Sequence, residues 1–124
     1  MTAGDPGDLK HVILGFCLDE AYDLWEVLNE VEKDRFASGA RRLSRKELMD
    51  LATPAASDLV KSGLLRIAVR EGLQPETPLA AAAALAVLAV HESWIQPAGL
   101  TARGWSAATT LAGREAFQSK KFLA

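Results

Sequence analysis

The stretch Ser44–Val69, SRKELMDLATPAASDLVKSGLLRIAV, admits few structures. Ser44 and Glu47 have the spacing of a capping box, in which the hydroxyl accepts from the N3 amide and the carboxylate accepts from the cap amide. Leu48, Leu51 and Ala52 follow at helical spacing. Thr53 then stands as the cap of a second helix, with Pro54 at its first position, where a missing N–H costs nothing. Leu59 and Val60 give that helix an apolar side, and Gly63 falls where a left-handed residue would end it. Leu64–Val69 is rich in strand formers. The expected order is helix, tight turn, helix, strand.

A chain of 124 residues, 49% apolar, is long enough for one domain (1–124) with a core of its own. Residues 1–8 are expected to be a disordered lead, and the opening MTAGDPGDLK lacks the apolar run of a signal peptide. Leu9–Phe16 fits either an edge strand or a helical turn. Cys17 is the single cysteine. It excludes an internal disulfide, fits a reducing cytoplasmic compartment, and sits in an apolar stretch as a small buried hydrophobe would.

Asp19 to about Phe36 reads as a helix with Asp19 as N-cap and Ala21, Leu24, Trp25, Leu28 and Val31 on one face. Asp19, Asp23, Glu26, Glu30 and Asp34 share the opposite face. They form either an ordinary solvated face or an acidic ridge for a basic partner. Glu71–Pro78 is a turn-rich loop. Leu79–Val90, LAAAAALAVLAV, is alanine-rich and therefore helical. It is too short to cross a membrane, and apolar all round, so burial is expected in the chain's own core or in a homodimer. His91 at its end suits the helix dipole and has no metal-ligand spacing around it. Pro97–Gly104 is a loop, Trp105–Thr109 a short strand, and Thr110 caps a last helix ending at Lys120-Lys121.

The net charge of −2 exerts no global pull toward nucleic acid. Its distribution is uneven, since residues 1–34 carry a balance of −7 and residues 35–124 one of +5. Between Arg41 and Arg70 stand seven bases (Arg41, Arg42, Arg45, Lys46, Lys61, Arg66, Arg70) against three acids.

The order of elements resembles a winged helix-turn-helix domain, with VKSGLLRI (Val60–Ile67) similar to the join between recognition helix and first wing strand. TTLAGREAF (Thr109–Phe117) looks like the strand-to-helix segment that closes many bacterial winged-helix proteins, and the layout is similar to that of small uncharacterised proteins of actinobacterial type. The resemblance implies a mostly α, α+β fold. Its parts would be a three-helix core, a short two- or three-stranded antiparallel sheet and an inserted alanine-rich helix. It names no activity. Three features depart from DNA binding. The leading residues of the second helix, Pro54 to Asp58, offer only Ser57 and Asp58 as hydrogen-bonding groups. The alanine-rich helix interrupts the wing, and the first helix is acidic.

No GxSxG, P-loop, GxGxxG or Cys/His set points to an enzyme, and no metal or cofactor is expected. Two functions stand. One is a non-catalytic protein-binding module (an adaptor, regulator or immunity-type protein) acting through the acidic ridge or the basic Arg41–Lys46 segment. The other is a DNA-binding regulator in which Arg41, Arg42, Arg45, Lys46 and Lys61 hold phosphates and Ser57 lies near bases.

Overall fold

A computed structural model of the chain describes residues 6–72, 74–96 and 103–119. Within them lie α1 (Pro6–Phe16), β1 (Tyr22–Asp23), α2 (Leu24–Ala37), α3 (Arg45–Lys61), β2 (Leu65–Glu71), β3 (Thr77–Pro78), α4 (Ala81–Leu88), a 3-10 turn (His91–Trp94), β4 (Arg103–Thr109) and α5 (Leu111–Ser119). The fold is α+β. Its antiparallel sheet has four strands in the order β1-β4-β2-β3, one more than the largest sheet expected.

Leu9, Ile13 and Cys17 recur every four residues and are buried with Leu14, which makes Leu9–Phe16 the body of helix α1. The helix begins at Pro6, with proline at the first position, so residues 6–8 are not the disordered lead expected of them. Residues 1–5 lie outside the described residues. The helix α2 starts at Leu24 with Asp23 as its N-cap, not at Asp19. The reason is an alternative cap: Glu26 is three residues beyond Asp23, and its carboxylate accepts from the Asp23 amide at 3.1 Å.

The capping box at Ser44 forms, with Glu47 N donating to Ser44 Oγ at 3.1 Å and Ser44 N donating to Glu47 Oε1 at 3.0 Å. This bonding holds the Glu47 carboxyl below the usual carboxylate range, chiefly through the Ser44 amide. The turn expected at Thr53-Pro54 is absent. A single helix, α3, runs from Arg45 to Lys61 with Pro54 inside it. Leu48, Ala52, Ala55, Ala56 and Leu59 form one unbroken buried stripe across the proline. Burial on both sides of Pro54 therefore outweighs its lost amide bond, worth about 3 kcal/mol in a helix interior. Thr53 has a tertiary role instead, its hydroxyl donating to the Leu88 carbonyl at 3.3 Å.

At Leu88 O the Thr53 hydroxyl meets the indole N–H of fully buried Trp94, which donates at 3.0 Å. These donors tie the end of α4 to α3 and to the 3-10 turn. The α4 helix is eight residues long, and it buries only Ala84 and Leu88. Ala81, Ala82, Ala83 and Ala86 are exposed, so the chain's own core covers this helix on one side only, and the other side is the face that the expected homodimer would cover. It packs one face on α3 and β2 and turns the other outward.

The sheet's centre is the β2–β4 pair, in register from Leu65↔Thr109 to Glu71↔Arg103. The TTLAGREAF segment closes the molecule. Thr109 donates to Cys17 O through its amide (3.1 Å) and to Leu14 O through its hydroxyl (2.8 Å). Arg114 donates to Leu18 O at 3.1 Å. These are carbonyls that the C-terminal end of α1 leaves without helical partners. Thr110 caps α5 as expected, accepting from Gly113 N at 3.0 Å. A Cβ on Gly113 would collide with the Leu64 carbonyl oxygen, which is why the helix needs glycine where it crosses the start of β2. The ring of Phe117 stacks on His11 at 4.4 Å and carries α5 onto α1. The expected end of this helix at Lys120-Lys121 lies outside the described residues, as does most of the loop expected at 97–104; β4 itself begins at Arg103, two residues before Trp105.

Two substitutions test this account by urea denaturation. Pro54→Ala removes a helix-interior proline and is expected to stabilise the protein by about 2 kcal/mol. A neutral or destabilising result would mean that Pro54 opens a helix. Gly113→Ala is expected to destabilise by about 3 kcal/mol, because the helix and the β2 backbone must separate.

Candidate binding surface

The structure gives the five acids of the expected ridge different settings. Asp19 lies before α2 and faces Arg114 at 3.3 Å. Asp23 is structural, its Oδ1 accepting from Arg70 Nη1 at 3.1 Å and its Oδ2 from Trp25 Nε1 at 3.1 Å. Side-chain exposures of 16% for Asp23 and 29% for Arg70 leave this pair largely out of water. Glu26 is spent on the helix cap. Glu30 and Asp34 lie on α2, half-buried and exposed respectively.

The basic segment is also largely neutralised. Arg41 pairs with Glu47 at 3.4 Å, Arg45 with Glu32 at 3.6 Å, Lys46 with Asp50 at 3.1 Å and Arg70 with Asp23 at 3.1 Å. Of the seven bases, Arg42, Lys61 and Arg66 make no ion pair among the described residues. Arg42 precedes α3 and Lys61 ends it, so they stand at opposite ends of a helix roughly 24 Å long. Along the outward side of α3 between them lie Glu47, Asp50 and Asp58, with Ser57 half-buried. His91 faces Asp50 at 3.6 Å and Lys10 faces Asp58 at 3.4 Å.

What the structure does bring together is the C-terminal end of α2, the loop 38–44 and the first turn of α3. They enclose a groove of about 530 Å³. Its floor is buried Leu48 and half-buried Leu43, and Phe36, 84% exposed, stands at its edge. Lys33, Arg35, Arg41 and Arg42 rim it, with Glu32 the one acid. The loop's path is fixed by the end of α2. Gly39 takes φ +78°, its amide donates to Phe36 O at 3.1 Å, and the Ala40 amide reaches back to Arg35 O at 3.0 Å. This is a Schellman cap, and it requires a residue that tolerates the left-handed region. The Arg35 guanidinium donates to Arg41 O at 3.3 Å and fastens the far side of the loop.

Phe36 and Leu43 were not singled out from the sequence as a site. Helical spacing gave no signal, because Phe36 lies eleven residues beyond Trp25 on the face read as apolar, and only the observed stripe of Leu24, Val27, Leu28 and Val31 leaves it outside. An aromatic off the buried stripe is exposed by helical geometry.

Cys17 is buried among core residues, and that burial pushes its thiol up to about 12, with Glu26 adding to the effect. It is a protonated core side chain at neutral pH. No helix among the described residues is long and apolar enough to cross a membrane, and none of their His, Cys, Asp and Glu side chains cluster as a metal site. Comparison with protein-family models, with curated proteins and with solved structures finds no match.

The Asp23–Arg70 pair is expected to serve stability. A double-mutant cycle of Asp23→Asn and Arg70→Met, read by urea denaturation, should give a coupling of about 1 kcal/mol. A coupling near zero would return Asp23 to the pool of free surface acids.

Proposed function

We propose that this protein is a non-catalytic binding module of winged-helix-like architecture that acts through protein contact. The observation that carries this reading is the groove beside Phe36: a large aromatic side chain held in water over an apolar floor, on a molecule whose other large side chains mostly enter the core. An exposed apolar surface in a concave setting costs solubility, and its usual benefit is a partner.

The succession α1-β1-α2-α3-β2-β4, with β1-β4-β2 adjacent in the sheet, supports the winged-helix-like description. In that description α2 and α3 are the helix pair, and β3, α4 and the 3-10 turn are an insertion in the wing. The helix-turn-helix expected within Ser44–Ser62 is replaced by this longer one. The DNA alternative then requires α3 to enter a groove lined by phosphates. The acids Glu47, Asp50 and Asp58 on that helix oppose this, and the ion pairs already made by Arg41, Arg45 and Lys46 reduce the charge available.

Fluorescence anisotropy with generic duplex DNA separates the two functions. At about 50 mM salt no saturable binding is expected up to about 10 µM protein, because too few unpaired cations share one face. Binding that falls steeply with salt and is lost in Arg42→Glu would establish the DNA reading instead.

A further inference from the structure

The groove beside Phe36 has a chemistry more specific than apolar. Its rim carries Lys33, Arg35, Arg41 and Arg42, and the single acid on it, Glu32, is already engaged by Arg45 at 3.6 Å. Lys33 and Arg42 are exposed and make no ion pair among the described residues. Arg41, with 74% of its side chain exposed, is paired with Glu47 at 3.4 Å, and a partner's carboxylate would exchange with Glu47 there. A cationic rim thus surrounds Phe36, Leu43 and Leu48, on a chain whose net charge is −2. The volume, about 530 Å³, falls within the roughly 300–1,000 Å³ of sites that enclose a ligand.

We infer that this groove receives an acidic segment of a partner protein, in which a large apolar side chain packs between Phe36 and Leu43 while flanking carboxylates meet Lys33, Arg41 and Arg42. The inference rests on the protein-binding reading above and adds the partner's chemistry. The two parts of the site divide the work. The apolar floor supplies affinity by burying Phe36, and the rim selects for negative charge and speeds encounter. Arginine is suited to this, since its planar guanidinium can hold a carboxylate through two parallel hydrogen bonds. Duplex DNA would also be drawn to the rim. It would leave Phe36 in water and could not fill a concavity, and the acidic segment satisfies both features.

A selection from a phage-displayed library of random 12-residue peptides on the immobilised full chain tests this. The expected result is enrichment of sequences that carry net negative charge and at least one Phe, Trp, Leu or Ile. A synthetic peptide from the enriched set should bind more weakly by about tenfold or more to Phe36→Ser and to Arg42→Glu. Arg42→Lys, which keeps the charge and loses the bidentate grip, should bind between wild type and Arg42→Glu. Phe36 and Arg42 are exposed, so these variants fold, as circular dichroism would verify. Enriched sequences that are neutral or basic, or that bind both variants as well as wild type, would overturn the acidic partner and leave the protein-binding reading standing. No enrichment at all would overturn the inference, and salt-dependent duplex binding in the same preparation would overturn the protein-binding reading with it. A dimer in sedimentation velocity that Phe36→Ser abolishes would overturn it too, assigning the groove to a second copy of this chain.

Discussion

Asp23 links four elements, through its backbone and its carboxylate. It ends β1, where it pairs with Ser106 of β4, and it is the N-cap of α2. Its two oxygens accept from Arg70 on β2 and from Trp25 on α2. A partly buried carboxylate is costly unless its lone pairs are used, and here a cation and an indole use them. The arrangement sets the direction in which α2 leaves the sheet. That direction determines where the far end of α2, with Phe36 and the loop 38–44, meets the first turn of α3. The groove is thus positioned from the opposite end of a helix of 14 residues.

A second theme is the capture of helix-end and strand-start carbonyls by distant donors. Leu88 O receives Thr53 and Trp94, Leu14 O and Cys17 O receive Thr109, and Leu18 O receives Arg114. Thr110 donates to Gly63 O at 2.7 Å through its hydroxyl and to Leu64 O at 3.0 Å through its amide. Each bond uses a polar group that would otherwise be stranded where helices abut the sheet. The polar side chains of TTLAGREAF that look decorative in sequence are therefore spent on closure, with Gly113 giving the backbone approach that this closure needs.

Charge pairing leaves less of the molecule's uneven charge available to a nucleic acid. The acidic first third and the basic remainder meet within one domain, through Asp23–Arg70, Glu32–Arg45 and Asp19–Arg114. Of the cations that escape pairing among the described residues, Lys33 and Arg42 line the apolar groove, and the protein-binding reading takes its support from that coincidence, while Lys61 and Arg66 lie elsewhere.

Several elements were legible in the sequence because their signals are local. The Ser44–Glu47 capping box, the glycine after α3, the strand that follows it and the Thr110 cap each depend on residues within one turn of each other. Legibility failed where two local answers were equally good, or where burial overrode one. Asp19 and Asp23 are both sound N-caps, and the Glu26 capping box together with the pairing of β1 with β4 selects Asp23. Thr53-Pro54 satisfies the rules for a helix start, yet a buried stripe running through it makes one helix. The alanine run has no polar residue to mark its outer side, so its one-sided packing could not be read. Phe36 and Leu43 belong to one surface only because a Schellman turn folds the loop back over α3. Composition and local chemistry thus determined which elements form, since caps, glycines and apolar spacing act over a few residues. The tertiary structure alone decided that α3 is continuous and which charges survive pairing beside Phe36, because those outcomes depend on burial and on partners distant in the chain.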